Sequence, residues 1–278
     1  MSPIPQENSL PGGMVQTLAP LLVHQHVAQD HFLIRLKAPA IARRAKPGQF
    51  IHVRCGGPLL RRPLSLMNVN PPVGTVDFVY KVVGLGTGLL SRVPVGSYLD
   101  LLGPLGHPFE VPAGLKTGYL IGGGVGIPPL VFLAKHLVRK GVSVAVFLGA
   151  RTKEWVICGP EFRRLGVPVQ AATDDGTLGF KGSVVALFEK FFRSQKGDRG
   201  SATLYICGPT PMMAAAAAMA RREKMRAQVS LEERMGCAMG CCLGCAVEIA
   251  TEPTSSHSRF QRVCTEGPVF PAEEIAWR

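Results

Sequence analysis

Cys237, Cys242 and Cys245 follow one another at Cys-x4-Cys-x2-Cys spacing, and Cys264 stands alone further on. No other feature restricts the fold of this chain so sharply. Three thiols in one short loop, joined by a fourth from a distance, match the ligand spacing of plant-type [2Fe–2S] proteins. The loop residues agree with that reading. Gly236, Ala238, Gly240 and Gly244 let the backbone wrap tightly with its amides inward, and the glycines admit positive φ. Cys241 leaves a second spacing open, Cys237-x3-Cys241-x3-Cys245, although the x4-then-x2 order favours Cys242. Zinc is the alternative occupant, but its ligands usually come as two separate knuckles. The polar stretch Glu252 to Gln261 is expected to be a hairpin or loop that returns the chain to Cys264. Cys55, Cys158 and Cys207 are scattered, as small apolar residues would be.

The chain has 278 residues, 46% of them hydrophobic and 18% charged, enough for two cores and a small appendage. No apolar stretch has the length of a membrane span. Met1 to Gly13 lacks the basic and apolar regions of a signal peptide, so a soluble cytoplasmic protein is expected. The net charge of +12 raises the question of nucleic acid. The basic pairs Arg43-Arg44, Arg61-Arg62, Arg163-Arg164 and Arg221-Arg222 are dispersed among apolar runs, however, and no nucleic-acid motif accompanies them. Anionic cofactors or an acidic partner protein are the expected counter-charges.

Three textures divide the chain, and the expected units are residues 1–112, 113–227 and 228–278. In the first, short runs such as Phe32 to Leu36, Phe50 to Arg54, Thr75 to Val82 and Tyr98 to Leu102 alternate with Gly and Pro turns. That pattern predicts an all-β barrel. In the second, the apolar runs Tyr119 to Ile121, Val142 to Gly149, Val167 to Thr173 and Thr203 to Ile206 alternate with helical stretches. A helix is expected from Pro129 to Lys140, and another, capped by Thr210-Pro211, running to about Ala227. This predicts an α/β doubly wound parallel sheet. The third is rich in Gly and Cys and too short for a core of its own, as a small C-terminal iron–sulfur subdomain would be.

Candidate binding motifs fall at the turns. Arg62-Pro63-Leu64-Ser65 lies in the barrel region, followed by Val79-Tyr80-Lys81 and then Gly84-x-Gly86-Thr87-Gly88, a loop of amides suited to a pyrophosphate. Gly122-Gly123-Gly124-Val125-Gly126 follows a strand and opens a helix, where backbone amides and the helix N-terminus favour phosphate. Asp174 and the turn Cys207-Gly208-Pro209 end two further strands of that sheet, and ligands of open parallel sheets bind at such ends.

Arg-Pro-Leu-Ser, Gly-Gly-Gly-Val-Gly-Ile-Pro-Pro, Cys-Gly-Pro-Thr-Pro-Met and a C-terminal cysteine loop, in that order, resemble the ferredoxin reductase-like flavoproteins. The flanks Glu233-Arg234-Met235-Gly236-Cys237 and Cys264-Thr265-Glu266-Gly267-Pro268-Val269-Phe270 are closest to the electron-transfer subunits of NAD-dependent class 1B dihydroorotate dehydrogenases. The resemblance implies FAD on Arg62, Pro63, Leu64, Ser65, Val79, Tyr80, Lys81, Gly86 and Thr87, with the arginine on phosphate and the serine near the flavin ring. It implies NAD on Gly123, Gly124, Gly126, Asp174, Cys207, Gly208 and Pro209, and the cluster on Cys237, Cys242, Cys245 and Cys264. No side chain is expected to act as a catalytic acid or base. The implied partner is an FMN-containing catalytic subunit, two copies of each making a heterotetramer. Electrons from dihydroorotate would cross the [2Fe–2S] cluster to FAD and leave as hydride on NAD+, in pyrimidine biosynthesis.

Two other readings compete. The small subunit of NADH-dependent ferredoxin:NADP oxidoreductase has the same parts, but there an aspartate replaces the first cysteine ligand, and this chain has Cys237. Subunits of hydrogenase or sulfur-reductase diaphorases belong to the same class. A zinc-stabilised binding module is the non-enzymatic alternative. The chain departs from the family in its extra N-terminal residues, the doubled Cys241-Cys242 and a longer insert before Cys264.

Overall fold

The computed structural model describes residues 8–10, 13–57, 60–195, 199–250 and 259–277. The barrel region contains β1 (Asn8–Ser9), β2 (Val15–Ala28), β3 (His31–Lys37), α1 (Pro39–Arg44), β4 (Phe50–Val53), β5 (Arg62–Ser65), β6 (Asn68–Asn70), β7 (Thr75–Lys81), α2 (Leu85–Leu90) and β8 (Tyr98–Leu105). Its antiparallel strands run β5-β4-β8-β2-β3-β7-β6, with β1 against β2. The central strand, β2, is not among the expected runs, and it passes straight through Pro20. Its place in the ladder explains the proline. Val15 to Pro20 pair with β8, whereas Leu21 to Ala28 pair with β3, so Pro20 stands where the strand changes partner. Bulges after Leu21 and His26 bend the second half.

The second region contains β9 (Thr117–Gly123), α3 (Ile127–Arg139), β10 (Ser143–Ala150), α4 (Gly159–Arg164), β11 (Val169–Thr173), β12 (Phe180–Lys181), α5 (Val184–Ser194), β13 (Ala202–Cys207), α6 (Thr210–Arg222) and β14 (Arg226–Ser230). The parallel order is β12-β11-β10-β9-β13-β14. The order reverses at β9, whose two neighbours are β10 and β13, so the crevice for a ligand opens at the carboxyl ends of β9 and β13. The apolar runs of β9, β10 and β13 are buried on both faces, as expected for strands covered by helices above and below.

Expectations for the helices need correction, two of them at α6. The helix ends at Arg222, not near Ala227; Lys224 takes φ 51° and the chain turns into β14. Alanine favours helix, but Ala227 and Val229 fill a buried slot beside β13, and that packing prevails. Thr210 is the first helical residue and makes no cap; Pro209 holds that position. The other helix begins at Ile127, two residues before its expected start. The anticipated boundary after Ala227 falls inside β14.

The tail is built onto this sheet. β15 (Ala246–Glu248) and β16 (Phe260–Arg262) form a hairpin around the polar insert, whose residues 251–258 lie outside those described. β17 (Val269–Pro271) then pairs antiparallel with β14. The barrel grips the same segment. The His107 amide donates to the Gly267 carbonyl at 2.6 Å, and a Cβ on Gly106 would lie 2.4 Å from Pro268 Cδ. One apolar core therefore joins Met235, Ala238, Cys245, Val263 and Cys264 of the tail to Ile206 of the sheet and Met213 of α6, and to Phe50, Leu102 and Leu105 of the barrel.

His52 lies within that junction, 1% exposed, opposite Pro63 on β5 and beside Leu102 on β8. Its ring approaches the backbone of Arg61 and Met235, yet neither nitrogen makes a hydrogen bond. Burial, then the Arg61 guanidinium, lowers its pKa from 6.5 to about 4, so it folds neutral. The unfolded chain binds this proton below pH 6.5 and the folded one does not, so the contribution to stability is lost as pH falls. Between pH 7 and pH 4.5 the His52→Leu variant should lose about 2–3 kcal/mol less stability than the wild type in urea unfolding. Equal losses in both would show that the ring is not held neutral.

Candidate functional site

The cysteine loop follows β14 and folds back over the end of the sheet. Its thiols fall into two neighbouring sets, Cys237 with Cys242 and Cys241, and Cys264 with Cys245. Backbone amides point at the sulfurs. Met239 N donates to Cys237 Sγ at 3.4 Å, the Cys242 amide also reaches Cys237, and the Gly240 amide reaches Cys264. Burial opposes ionisation of Cys237, but the amides of Met239 and Cys242 and the neighbouring thiols outweigh it and bring its pKa down to about 6. Burial and then Cys245 push the Cys264 thiol up to about 12.

The small residues act differently from the sequence expectation. Of the loop glycines only Gly240 has positive φ, 85°, while Ala238 and Leu243 take 57° and 55°. A Cβ on Gly236 or Gly244 would stand 3.4 or 3.6 Å from Cys242 Sγ, an ordinary contact distance, so neither position excludes a small side chain. Cys242 thus lies between two glycines inside the wrap, although both it and Cys241 are solvent-exposed at this surface. Among the described residues no group of three or more His, Cys, Asp or Glu side chains is arranged to hold a single metal ion. Five thiols gathered in one glycine-bearing loop, with amides reaching Cys237 and Cys264, are the donor type an iron–sulfur cluster takes, and the three-in-one-loop spacing is not that of two zinc knuckles.

The barrel motif Arg62–Ser65 is β5 itself, at the end of the strand order, where its proline is tolerated. The neighbouring arginines part company. Arg61 is tied to Asp100 at 2.5 Å, whereas the Arg62 guanidinium lies where a Cβ on Gly86 would meet it at 3.0 Å. Residue 86 must be small for that cation and the first turn of α2 to converge, a combination suited to phosphate. The expected loop at Gly84 to Gly88 is the start of α2, and Thr87 Oγ1 accepts from the amides of Val83 and Gly84 at 3.0 and 3.3 Å. The side chains of β7 separate. Val79 packs towards α3 with Met67 and Leu130. Tyr80 turns into the barrel, stacks on Phe32 and hydrogen-bonds His24 at 3.0 Å, leaving its backbone to meet any ligand. Lys81 crosses to the second domain, its Nζ 4.0 Å above the Trp155 ring.

The glycine turn after β9 and the Cys207-Gly208-Pro209 turn after β13 interlock. A Cβ on Gly126 would stand 2.4 Å from the Cys207 carbonyl, and one on Gly123 2.7 Å from Met212 Sδ. These glycines therefore serve the packing of two turns as well as any nucleotide. Cys207 is buried with Sγ 3.5 Å from the Ser230 carbonyl; burial raises its pKa to about 12 and keeps it a neutral thiol. Gly123 is level with Gly149 on β10, and Ala150 with Thr173 on β11. Asp174 is thus exposed on the same rim, two strands or roughly 10 Å from the glycine turn.

The family model for the iron–sulfur cluster binding domain of dihydroorotate dehydrogenase B matches residues 232–276. Those for the oxidoreductase NAD-binding and FAD-binding domains match 120–218 and 19–109. The electron transfer subunit of dihydroorotate dehydrogenase B (NAD(+)) from Desulforamulus reducens is 42% identical over 262 residues, 93% of this chain and 97% of the relative. The chain belongs to this family of electron-transfer subunits. A Bacillus cereus member of the family is 38% identical over 269 residues, 94% of this chain and 99% of its own. Among solved structures, the NADH-dependent reduced ferredoxin–NADP oxidoreductase superposes with a TM-score of 0.83 at 33% identity, covering 94% of this chain and 90% of the other. The ferredoxin reductase of carbazole 1,9a-dioxygenase, at 23% identity and TM-score 0.66 over 78% and 68%, shares the fold.

As an electron-transfer subunit, the protein is an oxidoreductase component with FAD-binding, NAD-binding and iron–sulfur domains in the ferredoxin reductase-like architecture. No helix among its described residues is long and apolar enough to cross a membrane. Sequence reading passed over Trp155, which carries the Lys81 contact; its signal is a tryptophan just beyond the carboxyl end of β10. The two turns yield a contrast testable by mutation. Gly126→Ala meets backbone that cannot yield and should cost about 1–3 kcal/mol with loss of NADH-dependent flavin reduction. Gly124→Ala has open space and pays only for its φ of 53°, about 1–2 kcal/mol, in urea unfolding.

Proposed function

We propose that this subunit carries electrons between a dihydroorotate-oxidising catalytic partner and NAD+. The observation that supports the reading is the gathering of Cys237, Cys241, Cys242, Cys245 and Cys264 in one loop whose core continues into strand β4. Cys237, Cys242, Cys245 and Cys264 are the cluster ligands in this reading, one pair to each iron. When bound, FAD exchanges single electrons with an iron–sulfur cluster and hydride with a nicotinamide, which is why both belong to one chain.

The residues of the chain divide the remaining work. Arg62 and the first turn of α2 at Gly86 and Thr87 hold the FAD phosphates, with Pro63, Leu64 and Ser65 along its ring and the Val79–Lys81 backbone along its body. Gly123, Gly124 and Gly126 with Cys207, Gly208 and Pro209 receive the nicotinamide nucleotide at the switch point, and Asp174 takes its far end. The amides of Met239, Cys242 and Gly240 stabilise negative charge on the cluster sulfurs. No carboxylate or imidazole is assigned as acid or base. The loop's exposed Met239 and Leu243 face outward beside Cys241 and Cys242, where a partner subunit must approach for electrons to pass. With an FMN-containing catalytic subunit the assembly is a heterotetramer of two of each.

The structure of the NADH-dependent ferredoxin–NADP oxidoreductase is similar over nearly the whole chain, so that chemistry is the competing reading. Cys237 in the first ligand position favours the dihydroorotate reading. The chain purified anaerobically with its catalytic partner should reduce NAD+ with dihydroorotate. Activity with ferredoxin and none with dihydroorotate would reverse the choice. Cys242→Ser should abolish the electron paramagnetic resonance signal of the reduced cluster while Cys241→Ser keeps it; the opposite result would make Cys241 the ligand.

A further inference from the structure

A chain of polar groups crosses from the barrel to the nucleotide-binding helix, and neither end of it belongs to a motif considered above. On β7 the Asp77 carboxylate is only 2% exposed. Arg35 of β3 grips it with both arms, Nε to Oδ1 at 2.7 Å and Nη2 to Oδ2 at 2.9 Å. Asn68 of β6 donates Nδ2 to Asp77 Oδ2 at 3.1 Å. Its other atom, Oδ1, accepts from Lys135 Nζ of α3 at 2.7 Å. The order of charges sets the orientation of the asparagine, because only its carbonyl can accept from an ammonium and only its amide can donate to a carboxylate. Burial, then Arg139, lowers the Lys135 pKa, while Asp77 acts in the opposite sense.

One end of the relay adjoins the Val79–Lys81 motif, and the other stands on the helix that the glycine turn opens. Asp77 precedes Val79–Lys81 by two residues on β7, and Asn68 follows Ser65 by three. Lys135 lies about 12 Å along α3 from Ile127, the residue after the Gly124–Gly126 turn. Around the relay the contact between the two domains is apolar: Met67 and Val79 of the barrel meet Ile127, Leu130 and Val131 of α3. Such contacts attract without fixing direction. The lysine–asparagine–carboxylate relay is directional, and its lengths admit one register of helix on strand.

We propose that Lys135, acting through Asn68 on Asp77, is a positioning residue for hydride transfer, holding the nucleotide-binding helix in register with the flavin strand. The inference rests on the reading of the β5–β7 side as the FAD site and the α3 end as the NAD site. Hydride transfer needs the reacting atoms about 3–3.5 Å apart, and a misplacement near 1 Å can cost about a hundredfold in rate. A relay that aligns two domains therefore acts on the rate of transfer and much less on binding of either cofactor.

The test uses the complex loaded with cofactors. Lys135→Met and Asn68→Ala, singly and combined, are mixed anaerobically with NADH in a stopped-flow spectrophotometer. Iron and flavin content and melting temperature are measured alongside. Each single variant should retain both cofactors, slow flavin reduction by about tenfold or more, weaken the long-wavelength charge-transfer absorbance between flavin and nicotinamide, and move KM for NADH less than about threefold. The double variant should be no slower than the singles, because both break one relay. Lys135→Arg should restore most of the rate. Wild-type flavin reduction and charge-transfer absorbance in both single variants would overturn the proposal, as would additive losses in the double. Failure of the wild-type complex to be reduced by NADH would instead overturn the underlying functional reading.

Discussion

The pairing of β17 with β14 is the contact on which the arrangement of this molecule depends. All four candidate ligands lie in the chain between these two strands, so their hydrogen bonds close a loop around the cluster site. A segment so rich in Gly and Cys has little apolar surface of its own to bury. It borrows the sheet and the barrel, through Met235, Cys245, Val263, Cys264 and Phe270 on one core with Phe50 and Ile206. Phe50, within that core, pairs directly with Ser65 at the end of the Arg62–Ser65 motif, so one strand links that motif to the cysteine loop.

A second constraint acts at the other redox junction, between flavin and nicotinamide. The glycine turn after β9 and the turn after β13 approach so closely that backbone meets backbone. That contact shapes the nucleotide crevice before any ligand arrives. The barrel meets the same domain through the Lys81–Trp155 contact, the Met67–Val79 apolar patch and the Lys135–Asn68–Asp77 relay. Three kinds of interaction, cation–π, dispersion and charged hydrogen bond, thus hold one domain against the other. Their chemistry differs, and so will their response to salt and temperature.

Much of the architecture was legible in the residues. Alternation located β3, β4, β7 and β8 to within a few positions, and unbroken apolar runs located β9, β10 and β13. These are local signals, carried by neighbours along the chain. The failures were of another kind. β2 was missed; it passes through Pro20, whose missing amide matters only if the strand keeps one partner, and it changes partner there. α6 was drawn too long because alanine propensity speaks for helix, whereas the slot beside β13 demanded a strand. In each case the deciding neighbour is remote in sequence.

The cysteine spacing, the two glycine-bearing turns and the order of the three regions were determined by the sequence alone. They name the cofactors because ligand type and spacing are properties of a short stretch of chain. What the tertiary structure decided is which groups work together. It gathers the thiols into two sets, ties Arg61 to Asp100 while bringing Arg62 beside Gly86, and turns Tyr80 away into the barrel. It also brings Lys135 to Asn68 across a domain boundary. These choices depend on packing between segments far apart in the chain, where burial and hydrogen-bond geometry are set by the whole fold, and no local pattern of residues encodes them.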